Sequence, residues 1–167
     1  MGRSAISVGH ILDRLAEASS RPRYAFAVLN LLAEQAGPGH EVGPFIRDED
    51  EVLPLRSWVG KRLARLSGRS ERRKRIEQRV REELAEKLPT DLFEAQKIVD
   101  AAVEERVRAI GADNFSRVVT ELEKAGFVSR FYAGYRTNHP SRGGLRNLVC
   151  VLDADVTAAL RRRDVLV

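Results

Sequence analysis

Residues 113–128 read Asp113-Asn-Phe-Ser-Arg-Val-Val-Thr-Glu-Leu-Glu-Lys-Ala-Gly126-Phe-Val128. Apolar residues recur in this stretch at the spacing of one helix face, and they are Phe115, Val118, Val119 and Leu122. Asp113 is a residue type that caps a helix start, because its carboxylate accepts hydrogen bonds from the unpaired N–H groups of the first turn. Gly126 is the type that ends a helix where φ is positive. The pattern predicts a separate helix over residues 113–125.

The spacing of the apolar residues changes after Gly126 from a helical to a strand-like pattern. Residues 127–135 are rich in aromatic residues and have strand character. Residues 137–144 are a cluster of turn formers, and residues 145–152 return as a second strand. A helix that runs through a glycine into a hairpin with a basic tip predicts a mainly α fold with a small β-hairpin. This is the outline of a winged helix-turn-helix.

Residues 116–128 resemble the recognition-helix segment of MarR-like winged-helix regulators. The resemblance rests on the Ser116-Arg117 pair, the two apolar residues after it, and the ending Leu122-Glu-Lys-Ala-Gly126-Phe-Val128. Ser141-Arg-Gly-Gly144 stands where those proteins carry an Asp-x-Arg wing motif, and their long C-terminal dimerisation helix has no clear counterpart. The resemblance implies a winged-helix fold and a helix that enters the major groove of DNA.

The composition favours a nucleic-acid partner. The net charge is +5, which attracts polyanions. A single cysteine, Cys150, excludes an internal disulfide, and its apolar strand predicts that it is buried. The three scattered histidines form no zinc-type cluster with it. No apolar run approaches the 18 or so residues that a membrane helix needs, so we expect no membrane partner and a cytoplasmic location.

The first half of the chain is predicted to be helical. Ser7 can cap a helix to about residue 19, and residues 21–36 form a second helix that is apolar nearly all round, typical of a core helix. Residues 37–55 are predicted to be a loop, and its acidic run could be solvated, bind a metal, or dock on the basic helix that follows. That helix, 58–67, is predicted to start after a Ser57 cap and to be the second helix of a helix-turn-helix.

Residues 69–110 are predicted to form a helical hairpin inserted into a single domain of residues 1–167. Pro89 stops its first arm, Thr90 caps its second arm, and Gly111 ends it. Residues 56–81 carry eleven Lys and Arg against two Glu, and residues 82–105 carry eight acids against two Lys. The basic arm could therefore lie along phosphates, pair with the acidic arm, or do both. The second arm has an apolar stripe that comprises Leu92, Val99, Val103 and Val107. Ile76, Val80 and Leu84 of the first arm can cover part of it, and we expect a second subunit to cover the rest.

Polar and basic side chains lie on the predicted helix opposite its apolar stripe. They are Asn114, Ser116, Arg117, Thr120 and Lys124. Arginine can bind guanine and asparagine can bind adenine through two hydrogen bonds, and hydroxyl groups reach phosphate oxygens. The predicted wing adds basic residues around a glycine-rich tip, where they can lie on the backbone or in a minor groove. They are Arg136, His139, Arg142 and Arg146.

The sequence predicts a double-stranded DNA-binding protein rather than an enzyme. No phosphate-binding glycine loop, nucleophile elbow or His-Glu-x-x-His metal motif occurs, so we expect no cofactor, metal or catalytic residue. The favoured hypothesis is a sequence-specific transcriptional regulator of bacterial, plasmid or phage type that acts as a homodimer. The alternatives are a replication or architectural DNA-binding protein with a winged helix, and a winged-helix protein-interaction module that does not bind DNA.

Overall fold

Helices dominate the structure, a computed structural model that describes residues 5–66, 71–133 and 147–165. The helices are α1 (Val8–Ala18), α2 (Pro22–Gln35), α3 (Leu55–Leu66), α4 (Glu71–Leu84), α5 (Leu92–Lys124) and α6 (Ala154–Val165). The strands are β1 (Glu41–Val42), β2 (Phe45–Asp48), β3 (Glu51–Pro54), β4 (Val128–Tyr132) and β5 (Leu148–Leu152). The predicted class, mainly helical with a small antiparallel sheet, is confirmed.

Helix α1 has the predicted Ser7 cap, and both N-terminal helices bury apolar side chains. Ser7 Oγ accepts a hydrogen bond from the His10 N–H at 3.2 Å, which starts α1. Ile11 and Leu15 of α1 are fully buried. Helix α2 lies deep in the core, since most of the apolar residues along its length are buried. Burial of these side chains is the main stabilising contribution that the N-terminal helices make.

The stretch predicted as a loop between α2 and α3 contains three strands, so that prediction was wrong. Strands β2 and β3 pair antiparallel and cover α3, with Ile46 and Asp48 turned inward. The buried Asp48 carboxylate binds Lys61 Nζ at 2.8 Å and Arg62 Nη2 at 2.7 Å. The sequence left three alternatives for the acidic run, and Asp48 follows the third: it docks on the basic helix α3. Helix α3 starts at Leu55 directly after β3, so Ser57 lies inside the helix rather than capping it.

Helix α5 is continuous for 33 residues, which corrects the predicted helix end at Gly111 and start at Asp113. Gly111 is a packing residue: a Cβ built on it would lie 3.0 Å from the Gly60 Cα of α3. The two glycines let α3 and α5 cross closely, and the Asp113 side chain binds Arg56 at 2.9 Å instead of capping a helix. The helix begins after Asp91, whose Oδ1 accepts from the Phe93 N–H, so Thr90 is not the cap.

Helix α4 packs along the first half of α5 and forms an arm outside the main core. Val80, Val99 and Val103 are its buried centre, and Ile76, Leu84 and Val107 are among the partly buried residues around it. The predicted apolar stripe is thus covered within one chain. Leu92, which was predicted to be buried with it, is 86% exposed. The second helix of the predicted hairpin 69–110 does not end before Gly111, because it continues into the residues 113–124.

The main core lies between α1, α2, α3, the second half of α5, α6 and a three-stranded sheet of order β1-β5-β4. Gly126 has a φ of 79° and ends α5, as predicted. Strand β5 is the central strand, and its Cys150 lies opposite Val42 on one side and Arg130 on the other. Cys150 is buried, as predicted, and burial raises its pKa to about 12. Asp153 Oδ1 accepts a hydrogen bond from the Asp155 N–H and caps α6.

Candidate nucleic-acid interface

The second half of α5 has one face in the core and the opposite face in solvent. Phe115, Val118, Val119 and Leu122 are buried. Asp113, Arg117, Thr120 and Lys124 are exposed and follow each other at intervals of four, three and four residues. This spacing places them on one side of a helix. We call these four residues the outer stripe.

The outer stripe contains three of the residues that the sequence proposed for DNA contact. Arg117 and Lys124 make no hydrogen bond or ion pair with any residue that the structure describes. Thr120 is exposed, but its hydroxyl accepts a hydrogen bond from Arg130 at 2.9 Å and donates to the Ser116 carbonyl at 3.3 Å. Arg117 and Lys124 are therefore the stripe's available cations.

Asn114 and Ser116 lie on the flanks of the helix and are half-buried. Asn114 Oδ1 accepts a hydrogen bond from Arg21 at 3.2 Å. Ser116 Oγ donates to the Ala112 carbonyl at 3.3 Å. These contacts hold both side chains within the protein, so they border the outer stripe rather than stand on it. The four predicted wing residues, Arg136, His139, Arg142 and Arg146, lie outside the described residues.

The acidic residues near the outer stripe are each bound by another element. Asp113 pairs with Arg56 of α3 at 2.9 Å. Glu121 accepts a hydrogen bond from Ser19 Oγ at 2.5 Å. Glu123 Oε1 lies 2.7 Å from Arg130 Nε, an ion pair whose angles fall outside hydrogen-bond geometry.

These contacts turn the carboxylates toward neighbouring helices and strands, or balance them with a nearby cation. Oppositely charged neighbours reduce the field that each carboxylate projects into solvent. Arg117 and Lys124 are therefore the cations of the outer stripe that have no acid bound to them in the described part of the chain, whereas the exposed Asp113 is paired with Arg56. A negatively charged partner could approach this face without first displacing an acid from either cation.

Three arginines that the sequence did not single out arrange this surface. Arg56 and Arg130 hold Asp113 and Thr120, and Arg21 bridges α2 to Asn114. The Arg21 guanidinium also lies over the Tyr24 ring, 4.7 Å from its centroid. The Tyr24 hydroxyl has no hydrogen-bond partner among the described residues, and burial raises the pKa of this phenol. No local motif signals these roles, because each partner is distant in sequence.

The arm shows partial pairing between its basic and acidic halves. Arg73 lies 3.8 Å from Glu104, and Arg106 lies 2.6 Å from Glu83. Arg81 forms an ion pair with Glu77 and a hydrogen bond to Gln96. The hydrogen bond and charge of Arg106 lower the pKa of Glu83. Pairing between the arms, one of the two alternatives left open by the sequence, thus accounts for some of the arm's cations.

Comparisons with protein-family models, curated proteins and solved structures find no match to this chain. None of the described helices is both long and apolar enough to cross a membrane. Within the described ranges, no group of three or more His, Cys, Asp or Glu is placed to hold a metal ion.

Proposed function

We propose that the chain is a sequence-specific double-stranded DNA-binding protein with a winged helix-turn-helix core, acting as a transcriptional regulator of bacterial, plasmid or phage type. The second half of α5 enters the major groove, and the segment between β4 and β5 contacts the backbone or a minor groove. The proposal locates the protein in the cytoplasm, where such DNA is found.

The order of elements supports the winged-helix part of the proposal. A core helix (α2) precedes a short strand (β1), a second helix (α3), a third helix (the end of α5) and a final antiparallel pair (β4 and β5). The first strand pairs with the last, giving the order β1-β5-β4. In a helix-turn-helix the second and third helices are joined by a short turn. Here the arm lies between them, and the Gly60–Gly111 crossing brings the two helices together.

The observation that carries the proposal is the outer stripe itself. Arg117 and Lys124 are exposed about 10 Å apart along the helix, at 1.5 Å per residue, while nearby acids are bound elsewhere. An arginine on a groove-facing helix can donate two hydrogen bonds to a guanine edge. A lysine one or two turns away suits a phosphate. Thr120, between them, is held in place by Arg130.

Competition binding tests the proposal. A duplex selected by the protein from a random pool is compared with unselected duplex by fluorescence anisotropy. Arg117→Ala is expected to weaken binding to the selected duplex by about 1–3 kcal/mol, with a smaller loss on random DNA. Lys87→Ala, which removes an exposed cation near the far end of the arm, is the control and should change neither.

Two outcomes contradict this proposal in different ways. Equal losses on both duplexes for Arg117→Ala would mean that the residue contacts only phosphate. If the wild-type protein binds no duplex at low salt, DNA binding itself is wrong.

The homodimer is part of the proposal, but its interface is not the one that the sequence suggested. Val99 and Val103 are already buried against α4 of the same chain. The most exposed large apolar side chains of the described arm are at its tip, where Leu92 is 86% and Phe93 is 76% exposed, and Ile98 farther along α5 is 43% exposed. Single modules bury little surface on DNA, so a second subunit would add the contacts that tight specific binding needs.

A protein-interaction module is the second candidate, and one surface favours it. Phe45 and Val52 are 54% and 60% exposed, and both lie on the outward face of the β2–β3 hairpin. Exposed apolar pairs of this kind can meet a protein partner. A wild-type protein that ignores DNA in the competition assay would favour this candidate. A replicative or architectural role instead predicts equal affinity for selected and random duplexes.

A further inference from the structure

We propose that α4 is a second DNA-contacting element, whose arginines 72, 75 and 79 bind the phosphate backbone of the same duplex beyond the stretch contacted by α5. We call these three residues the arm row. The inference rests on the proposed function, because it assumes that the outer stripe meets duplex DNA. It adds a longer footprint and a specific set of phosphate contacts.

The arm row lies on one face of α4. Positions 72, 75 and 79 are separated by three and four residues, which places them side by side along a helix. All three are exposed, whereas Ile76 and Val80 face α5. At 1.5 Å per residue the row is about 10 Å long. This matches a run of backbone phosphates rather than a single anion.

The arm row differs from the neighbouring arginines of α4, Arg73 and Arg81, by its lack of partners among the described residues. Arg73 and Arg81 turn toward α5 and bind Glu104 and Gln96. Arg72, Arg75 and Arg79 make no ion pair or hydrogen bond to residues in the described part of the chain. Glu83, one turn beyond Arg79 on the same helix, already holds Arg106. The three arginines are therefore open to an external anion, although the exposed acids Glu71 and Glu82 lie one turn from Arg75 and Arg79.

The phase of α5 puts the arm on the same side as the outer stripe. Val99 and Arg117 are 18 residues apart, which is five turns of a helix with 3.6 residues per turn. They therefore lie on the same face of α5. Helix α4 covers Val99. It therefore packs on the face of α5 that also carries Arg117, five turns later along the same helix. A duplex that rests on Arg117 and extends toward the arm would meet the start of α4.

Contacts at the start of α4 join the two basic surfaces. Arg72 is close enough to Tyr24 to lower the pKa of that phenol against the larger effect of burial. Arg21 stacks over the same ring and binds Asn114, next to the outer stripe. Arg21 and Arg72 thus both lie near Tyr24, between the outer stripe and the arm row.

A second copy of the chain is the competing occupant, since the opposite side of the arm is acidic. An open groove of about 570 Å³ there is lined by Asp100, Ala101, Glu104, Glu105 and Arg108. Most of these acids are engaged: Glu104 lies near Arg73 and Arg108, and Asp100 accepts a hydrogen bond from Gln96. Two of the three acids in the groove have partners, whereas none of the arm-row arginines has one among the described residues, so the arm favours a polyanion over a second copy.

The test compares two triple variants that lose the same charge. Arg72→Gln, Arg75→Gln and Arg79→Gln remove the arm row, and Lys74→Gln, Lys87→Gln and Lys97→Gln remove three exposed cations outside it. Affinity is measured over a salt series on duplexes of about one and about three helical turns, at about 10 base pairs per turn. Each lost phosphate contact lowers the salt slope by about 0.9.

The arm-row variant is expected to lose two to three contacts on the long duplex, so its slope falls by about 2–3. On the short duplex it should behave like wild type, and the lysine variant should do so on both. Equal effects of the two triple variants would overturn the inference, because the row would act only through net charge. Equal loss on short and long duplexes would also overturn it, since the row would then lie inside the primary site.

Two further measurements separate this inference from its alternatives. Sedimentation of both variants without DNA detects a second copy: dissociation of a wild-type dimer by the arm-row variant alone would assign the row to a protein interface and overturn the inference. Arg117→Ala separates it from the proposed function. If Arg117→Ala loses selectivity while the arm-row variant loses nothing, the proposed function holds and the inference fails. If wild type binds neither duplex, both fail.

Discussion

Replacing Gly111 by alanine tests the helix crossing that positions the outer stripe. A Cβ at residue 111 would lie 3.0 Å from the Gly60 Cα and 3.2 Å from its carbonyl oxygen. Both atoms belong to the backbone of α3, which cannot turn aside as a flexible side chain can. The two helices must therefore move apart by a few tenths of an ångström, and the side chains packed around the crossing lose contact.

Two opposing terms set the size of the effect. Alanine favours the helical state over glycine by about 0.8–1.0 kcal/mol. Overpacking a close contact costs about 1–3 kcal/mol, and here the strained neighbour is backbone, which favours the upper half of that range. We expect Gly111→Ala to lower the free energy of unfolding by about 1–2 kcal/mol. Without a close crossing the same change would raise it by about 1 kcal/mol.

Urea denaturation followed by circular dichroism measures the difference. Gly9→Ala is the matched control, because it lies in α1 and its added Cβ would meet only Ser7 Oγ at 3.8 Å. The control should be neutral or more stable by up to about 1 kcal/mol. A Gly111→Ala protein that is as stable as wild type, or more stable, would refute the close crossing and with it the explanation of why α5 passes residue 111 unbroken.

Two other predictions concern the central strand and the arm tip. Burial holds the Cys150 pKa at about 12, against an ordinary value of 9.0, so between these values the unfolded chain releases a proton that the folded chain keeps. The unfolding free energy of wild type should therefore fall from about pH 9 to 12, by up to about 1.4 kcal/mol per pH unit, more steeply than that of Cys150→Ala; parallel curves would contradict the burial. The double variant Leu92→Ser, Phe93→Ser should keep the helix content of wild type but sediment with half its mass, because the arm tip would no longer hold two subunits together. A wild-type protein that is already monomeric at DNA-binding concentrations would contradict the proposed dimer.

Sequence rules predicted helix starts and ends correctly where the contacts that decide them lie within a few residues. Ser7 and Asp153 cap their helices through N–H groups two or three residues away, and Gly126 ends α5 by its own backbone conformation. The core face of residues 113–125 also follows from periodicity alone. The same periodicity predicted that Arg117 and Lys124 would point to solvent, because a helix with one buried face must expose the other.

Sequence rules predicted the wrong secondary structure where a residue distant in the sequence determines it. Gly111 has the sequence signature of a helix end, but its backbone stays helical because it meets Gly60, 51 positions earlier. Residues 45–54 have glycine and proline before them and an acidic run within them, which suggested a loop. They form a hairpin because Asp48 finds Lys61 and Arg62 on α3. A buried carboxylate with two cations satisfies its charge within the fold, and no spacing rule reveals that pairing.

In the candidate interface, too, periodicity predicts some features and distant partners determine the others. Periodicity gives the direction of each side chain on α5 but not the partners of Asp113, Glu121 and Glu123. Those partners come from α3, from the residue that follows α1, and from β4. Counted along the sequence, residues 113–124 hold three acids and two cations, which is not a basic segment. In the fold these acids are engaged by neighbours, whereas Arg117 and Lys124 have no partner among the described residues, so the two cations stay available on a segment that is not basic by its count of charges.

The continuity of α5 links the two basic surfaces. An inserted hairpin joined to the third helix by a flexible glycine could pivot, and the arm row would then have no fixed direction relative to Arg117. A helix that passes residue 111 unbroken fixes that direction, because five whole turns separate Val99 from Arg117. At the crossing of α5 with α3, neither helix carries a side chain: Gly60 faces Gly111, and a Cβ on either would lie 3.0 Å from the backbone of the other helix. The residue that local rules mark as a helix end is thus the one that keeps the arm and the outer stripe on a common face.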